Sequence, residues 1–219
     1  MSTGNFKQDV YEQLARVAKA IGHANRLELL EFVSQGPRSV DELAKLTRLS
    51  VANASKHLQE LRQAGLVKAR KEGVRVYYEV AGPDVVDLFG ALSTVAESRV
   101  AEVAQLLRTY VTARDDLEPV PAKELLQRAK QGLVTVLDVR PPEEFAAGHV
   151  PGAINFTLDS LSSHLKRLPK GREVVAYCRG PYCLLSVDAV ALLREKGYQA
   201  RRLEDGFPEW KAAGLPVEA

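Results

Sequence analysis

The chain holds two cysteines, and both fall in one short stretch, Tyr177-Cys178-Arg179-Gly180-Pro181-Tyr182-Cys183-Leu184-Leu185-Ser186. A thiol is a nucleophile only as its thiolate, so its surroundings decide its chemistry. The run Glu173–Tyr177 reads as a buried strand entering Cys178, and residues 184–196 read as a helix leaving Cys183. A sulfur between a strand's end and a helix's start meets converging backbone N–H groups and the positive end of a helix dipole. Both stabilise negative charge. A reactive-sulfur site on Cys178 is therefore the first expectation. Arg179 adds a positive charge beside the thiol, while Gly180 and Pro181 permit and stiffen a tight curve. Backbone N–H groups from Arg179 through Tyr182 and Cys183 to Leu184 would cradle an anionic sulfur. Three readings of Cys183 stand open: a small apolar residue at a helix start, a resolving thiol that attacks sulfur carried on Cys178, or half of a metal site with no other cysteine to complete it.

The rest of the chain must position this loop. Its 219 residues suffice for one or two domains, each with a core of its own. No apolar run is long enough to span a membrane, and Met1 to Lys7 lack the basic and apolar regions of a secretory signal. Few cysteines and no export signal point to a reducing cytoplasm. The net charge of +2 is too small to argue for a nucleic-acid partner, but its distribution is uneven. Residues 38–78 carry nine basic side chains against four acidic ones, an excess of five positive charges in one block. The segment 114–121 is charged, holds Pro119 and Pro121, and reads as a linker. Domains are expected at 1–115 and 116–219.

Helical periodicity dominates before that linker. Val10, Leu14, Val17, Ala18 and Ile21 give an opening amphipathic helix. Asn25 is expected to cap a second helix that stops at Gly36-Pro37. Ser39, with Glu42 three residues on, makes a capping box for a short third helix. A turn at Arg48-Leu49 leads to Ser50, the expected cap of a fourth. Two short helices joined by a tight turn form a helix-turn-helix, and residues 66–70 and 74–80 alternate as the strands of a hairpin around Lys71-Glu72-Gly73. Val85, Leu88, Leu92, Val95, Val103, Leu106 and Tyr110 then predict one long helix over 84–113. Such a stripe exceeds what a small domain needs; it pairs with a second copy or packs on the C-terminal domain.

Ile21-Gly22-His23…Arg26-Leu27, Leu49-Ser50…Ser55-Lys56-His57-Leu58, Ala64-Gly65-Leu66-Val67 and Gly73…Tyr77-Tyr78 together resemble the ArsR family of winged-helix repressors, over roughly residues 10–80. The resemblance implies a homodimer that binds double-stranded operator DNA. By position, Ser50, Val51, Ala52, Asn53, Ser55, Lys56 and His57 would face the major groove, with Arg70, Lys71 and Arg75 on phosphate or in the minor groove. His57 fits a packing role equally well. Many relatives sense metals through cysteines on the third helix or His and acidic ligands on the last. Here the third helix has no cysteine. The long helix has Asp84, Asp87, Glu97 and Glu102 but no histidine, and scattered carboxylates there read as a solvated face. No metal site and no cofactor are expected.

After the linker, strand-like and helix-like runs alternate. Helices are expected at 122–130 and 160–168 and strands at 133–137, 152–156 and 199–203. A last helix carries Phe207 and Trp210. Alternation of this kind implies a parallel sheet with helices on both faces, and ligands beyond the strands' carboxyl ends, where Cys178 lies. Leu137-Asp138-Val139-Arg140-Pro141…Glu144-Phe145…Gly148-His149-Val150-Pro151-Gly152-Ala153-Ile154-Asn155 and Gly206-Phe207…Trp210…Ala213-Gly214-Leu215-Pro216-Val217 resemble rhodaneses, over about residues 119–219. That resemblance implies sulfur transfer: the loop cysteine takes sulfane sulfur from a donor, thiosulfate or a persulfide, holds it as a persulfide, and passes it to a thiol acceptor or cyanide. Asp138, Arg140, Glu144 and His149 are read as structural. The charge of Arg179 would attract an anionic donor. Thiosulfate-specific relatives place more basic residues around the cysteine; the neutral, partly apolar Pro181-Tyr182-Cys183-Leu184 departs from them, which puts thiosulfate in doubt as donor and leaves organic or glutathione-type persulfides open.

The expected fold is thus two domains, a mainly-α winged helix-turn-helix followed by an α/β rhodanese-like domain with a central parallel sheet. The expected function is a DNA-binding regulator, a repressor, whose rhodanese domain senses or transfers reactive sulfur. A sulfurtransferase that uses the winged domain only to dimerise or localise, and a plain repressor with a vestigial rhodanese fold, are the alternatives. The operator, donor, acceptor and sign of the sulfur response are not legible.

Overall fold

The computed structural model describes residues 5–115 and 117–219 and divides the chain into two compact units, Met1–Val86 and Asp87–Ala219. The division falls upstream of the linker expected from the sequence. Residues 1–4, within the Met1–Lys7 stretch that lacks the regions of a signal, and Asp116 of that linker lie outside the described residues. Among the described residues no helix is long and apolar enough to cross a membrane.

The first unit contains α1 (Phe6–Ile21), α2 (Ala24–Ser34), β1 (Arg38–Ser39), α3 (Val40–Leu46), α4 (Val51–Gln63), β2 (Val67–Glu72) and β3 (Arg75–Val80). Its core joins Leu29, Leu30 and Val33 of α2, Leu43 of α3, and Leu58 and Leu61 of α4 to Val67 and Tyr78 of the hairpin. Helix starts are fixed by side chains. Ser39 accepts from the Glu42 N–H while Glu42 accepts from the Ser39 N–H, the expected capping box. α2 differs from expectation: His23, not Asn25, is its cap, its Nδ1 accepting the Asn25 N–H at 3.2 Å. Arg48 makes the tight turn between α3 and α4 in the left-handed region, at φ 55°. β2 and β3 pair antiparallel from Val67↔Val80 to Glu72↔Arg75, so the turn is Gly73-Val74, one residue later than expected. The two-residue β1, too short for a periodic signal, adds a third strand against β3.

α5 (Pro83–Arg99) spans the division between the units. The long helix expected over 84–113 is not continuous: Val100 is extended, α6 (Ala101–Leu107) starts anew, and residues Arg108–Thr112 close as a π turn. The second unit then runs through α7 (Ala122–Lys130), β4 (Val134–Asp138), α8 (Pro142–Ala147), β5 (Ile154–Asn155), α9 (Leu158–His164), β6 (Glu173–Tyr177), α10 (Leu184–Glu195), β7 (Ala200–Arg202) and α11 (Phe207–Ala212). The sheet is wholly parallel, in order β5-β4-β6-β7. Both faces are covered. Val174, Ala176 and Cys178 pack with Leu161 of α9 and Ala189, Val190 and Leu193 of α10. Val175 and Tyr177 pack with Leu125 of α7 and Phe207 and Trp210 of α11. This period-two split along one strand is what a sheet buried on both faces requires. The expected linker is anchored within this unit, because buried Asp115 accepts from Arg202 at 2.6 Å and faces Arg194 at 2.8 Å.

Candidate functional site

The residues singled out in the sequence fall into two groups, one in each unit. In the first, Ser50 caps α4 by accepting the Asn53 N–H at 3.2 Å. Ala54, Leu58 and Leu61 fill the core, so the remaining positions of α4 are forced outward. Ser50, Val51, Ala52, Asn53 and Lys56 are exposed and Ser55 is half-buried. His57 is different. Its ring lies 4.6 Å from that of His23, and burial, then the nearby His23 and Arg26, hold its pKa below the usual histidine value. His57 is thus partly buried, with its ring set against that of His23. Arg26 beside it is bonded to Glu60 and to the Ala20 and Lys19 carbonyls, tying α1, α2 and α4 together. On the hairpin, Arg70, Lys71 and Arg75 are exposed and flank a tip whose Val74 is 98% exposed. Arg70 is paired with Glu72.

In the second unit, Cys178 follows the last residue of β6 and is only 2% exposed. The chain then curves through Arg179, Gly180, Pro181 and Tyr182 to Cys183, the N-cap of α10. Cys178 and Cys183 form a disulfide, with Cα atoms 6.2 Å apart, inside the normal range for such a bridge. The Cys183 N–H donates to the Gly180 carbonyl at 3.1 Å and the Ser186 hydroxyl donates to the Cys183 carbonyl at 3.2 Å. In this form the Cys183 N–H thus closes the turn rather than joining a ring around Cys178. Of the expected substrate-binding residues, Arg179, Gly180, Pro181 and Cys183 are half-buried, while Tyr182 and Leu184 are exposed.

The loop is held from three sides. Arg179 makes a two-point bond to the buried Glu144, Nε and Nη2 to Oε1 at 3.0 and 2.9 Å, so the charge it was expected to offer an anionic donor is balanced by a carboxylate. On the second side the Phe207 N–H donates to the Cys178 carbonyl at 3.1 Å. Gly206 lies so close that a Cβ there would meet backbone atoms of Arg179 and Gly180 at 2.4 Å, which is why only glycine fits. On the third side the Tyr182 hydroxyl donates to a Glu97 carboxylate oxygen of α5 at 2.8 Å. Ser93, one turn earlier on α5, also hydrogen-bonds Tyr182, and burial together with the Glu97 contact raises the phenol's pKa. Glu97 had looked like part of a solvated face; no spacing rule could join it to a loop 85 residues away.

Beneath the loop, Asp138 and Arg140 form a fully buried pair at 2.6 Å, and Arg140 also donates to the Gly148 carbonyl at 2.8 Å. Burial opposes charge on Arg140, but bonding to Asp138 outweighs it and its pKa lies above the usual value. The Arg140 guanidinium covers the Phe207 ring at 4.1 Å. His149 stacks on Phe145 and its backbone pairs with Glu218. Arg140 also lies over the ring of Tyr177 at 5.5 Å, so the pair packs against the residue before Cys178 and against Phe207, whose N–H donates to the Cys178 carbonyl. Among the described residues no group of three His, Cys, Asp or Glu side chains could hold a metal.

A capped recognition helix with a hairpin wing, followed by a parallel sheet with a cysteine loop at a strand's carboxyl end, defines a winged-helix regulator fused to a rhodanese-like α/β domain. Comparison with known proteins agrees. Residues 23–69 match the bacterial regulatory protein, arsR family, and residues 121–213 match the rhodanese-like domain. The chain is 43% identical over 212 residues to the HTH-type transcriptional regulator Rv0324 of Mycobacterium tuberculosis, covering 97% of this chain and 93% of that one. It therefore belongs to the ArsR family of transcriptional regulators, in the form that carries a C-terminal rhodanese domain. A sulfurtransferase of Allochromatium vinosum is 34% identical over 87 residues, 39% of this chain and 79% of that one. Among solved structures, the homodimeric winged helix-turn-helix DNA-binding domain (fragment 1-100) of Mb0332 from Mycobacterium bovis is 39% identical, with a TM-score of 0.43, over 46% of this chain and 93% of that one.

Proposed function

We propose that this regulator is a cytoplasmic homodimeric repressor whose rhodanese domain takes sulfane sulfur onto Cys178 as a persulfide, and that this loading changes its affinity for operator DNA. The observation that carries the reading is the placement of Cys178 directly beyond β6, in a loop fixed by Glu144, Gly206 and α10, in a chain whose other unit presents a recognition helix. The exposed residues Ser50, Val51, Ala52, Asn53, Ser55 and Lys56 would read base edges, and Arg70, Lys71 and Arg75 would neutralise phosphates. Functionally the winged module is taken as 1–115, including α5 and α6, and the rhodanese module as 116–219. Exposed apolar residues on α1 (Phe6, Tyr11, Leu14) and on α5 and α6 (Leu92, Val95, Leu106) support burial against a second copy.

With Arg179 neutralised by Glu144, the loop suits an uncharged or organic persulfide donor better than the thiosulfate dianion. The intact loop and the likeness to a sulfurtransferase favour a second reading, in which transfer to a thiol acceptor is itself the main task. The test is intact mass after exposure of the reduced protein to glutathione persulfide, for wild type and Cys178→Ser. Sulfur-dependent change confined to the wild type supports the proposal; the same change in Cys178→Ser contradicts it.

A further inference from the structure

The structure gives the second cysteine a task. We propose that Cys183 is the resolving thiol for a persulfide on Cys178, and that the loop disulfide so formed is read by α5 through the Tyr182–Glu97 hydrogen bond. This rests on the persulfide reading above.

The geometry is already that of the product. The two sulfurs are joined, and the backbone of Cys183 is held on both sides, by Gly180 and by Ser186. Cys178 is buried at the strand end and Cys183 is half-buried at the start of α10. A low-molecular-weight persulfide, R–S–SH, gives its outer sulfur to the Cys178 thiolate and leaves as R–SH, forming Cys178–S–SH. The Cys183 thiol then loses its proton and attacks Sγ of Cys178. The bond between Sγ and the outer sulfur breaks, and its electron pair leaves on sulfide, which takes the proton. The outer sulfur is reduced to hydrogen sulfide, and the two cysteine sulfurs are oxidised from thiols to a disulfide. The donor is the only oxidant required. Two equivalents of a cellular thiol reset the loop, yielding two cysteine thiols and the thiol's own disulfide.

The readout follows from where Tyr182 stands. It is one of four residues enclosed by the two cysteines, so closing or opening the bridge acts on its backbone. Its hydroxyl is bonded to Glu97, and Ser93 joins the contact from the same face of α5. The first turn of that helix carries Val85, which packs in the core of the winged unit. One helix therefore bears both a residue of the DNA-reading core and the partner of the sulfur loop.

Reduced wild type and Cys183→Ser are treated with one equivalent of glutathione persulfide and followed by intact mass and released sulfide. Wild type is expected to lose two hydrogens and release one sulfide per chain, while Cys183→Ser gains one sulfur atom and releases none. A stable gain of sulfur in wild type, with no sulfide, overturns the role of Cys183 and leaves the persulfide reading standing. Failure of both proteins to react overturns both. For the readout, Glu97→Ala, at an exposed position, is expected still to form the disulfide, as intact mass reports, yet lose the change in operator affinity, about tenfold in wild type. An unchanged shift in Glu97→Ala overturns the readout.

Discussion

The α4 face and the cysteine loop solve opposite problems. On α4, residues inward of the helix fix its position, and the side chains proposed to read DNA stand largely in solvent. Around Cys178, the sulfur proposed to react is buried and the loop about it is constrained by Glu144, Gly206, Glu97 and the start of α10. A DNA-reading surface must leave its donors free for bases and phosphates. A sulfur site must hold an anion away from water and admit one chemistry. Substitutions should therefore cost stability in the loop platform and binding on the helix and wing.

The largest effect is expected at the buried pair beneath the loop. Asp138→Ala removes the carboxylate facing a fully buried guanidinium, and denaturant titration should show a loss of about 3–5 kcal/mol. A loss under about 1 kcal/mol would mean the platform is not over-determined and would break the contrast. Next is Gly206→Ala, whose methyl meets the Arg179–Gly180 backbone at 2.4 Å. Its expected cost is roughly 1–3 kcal/mol, with sulfur uptake by Cys178 falling more than operator binding.

On the other surface, Lys71→Ala or Arg75→Ala should leave stability within about 0.5 kcal/mol of wild type and lower the slope of log affinity against log salt by about one. Titration at several salt concentrations checks this, and an unchanged slope would remove the wing from the DNA contact. The smallest effect concerns pH. Because burial holds the His57 pKa below its unfolded value of about 6.5, the unfolded chain binds the proton more readily. The stabilisation from neutral His57 is full above that pH and is lost as pH falls through the depressed value. His57→Asn should flatten this dependence in thermal melts between neutral and mildly acid pH; an unaltered profile assigns it to other groups.

How legible these regions were in the sequence follows the same contrast. The Ser39 and Ser50 caps, β6 and α7 were readable because they rest on local spacing: side-chain oxygens three residues before an N–H, and period-two or period-3.6 apolar runs. The break at Val100 was not, because nothing in that apolar stripe marks an extended residue. β1 was too short to signal, and α8, six residues opened by Pro142, was hidden beside the Asp138–Arg140 motif. The place of Cys178 between a strand's end and a helix's start was legible, but its surroundings were not. Arg179 looked like a donor-attracting charge until Glu144 was found against it. Glu97 looked solvated until Tyr182 met it. Such contacts come from tertiary packing between residues far apart in the chain.

The central claim is that sulfur on this loop reaches DNA. The direct measurement is an operator-binding titration at fixed salt, on reduced wild type and Cys178→Ser, each with and without glutathione persulfide, with intact mass taken from the same samples. A change of about tenfold in affinity that accompanies the mass change in wild type and is absent in Cys178→Ser is the predicted result. Equal affinity in sulfur-treated and reduced wild type, with the mass change confirmed, would contradict it.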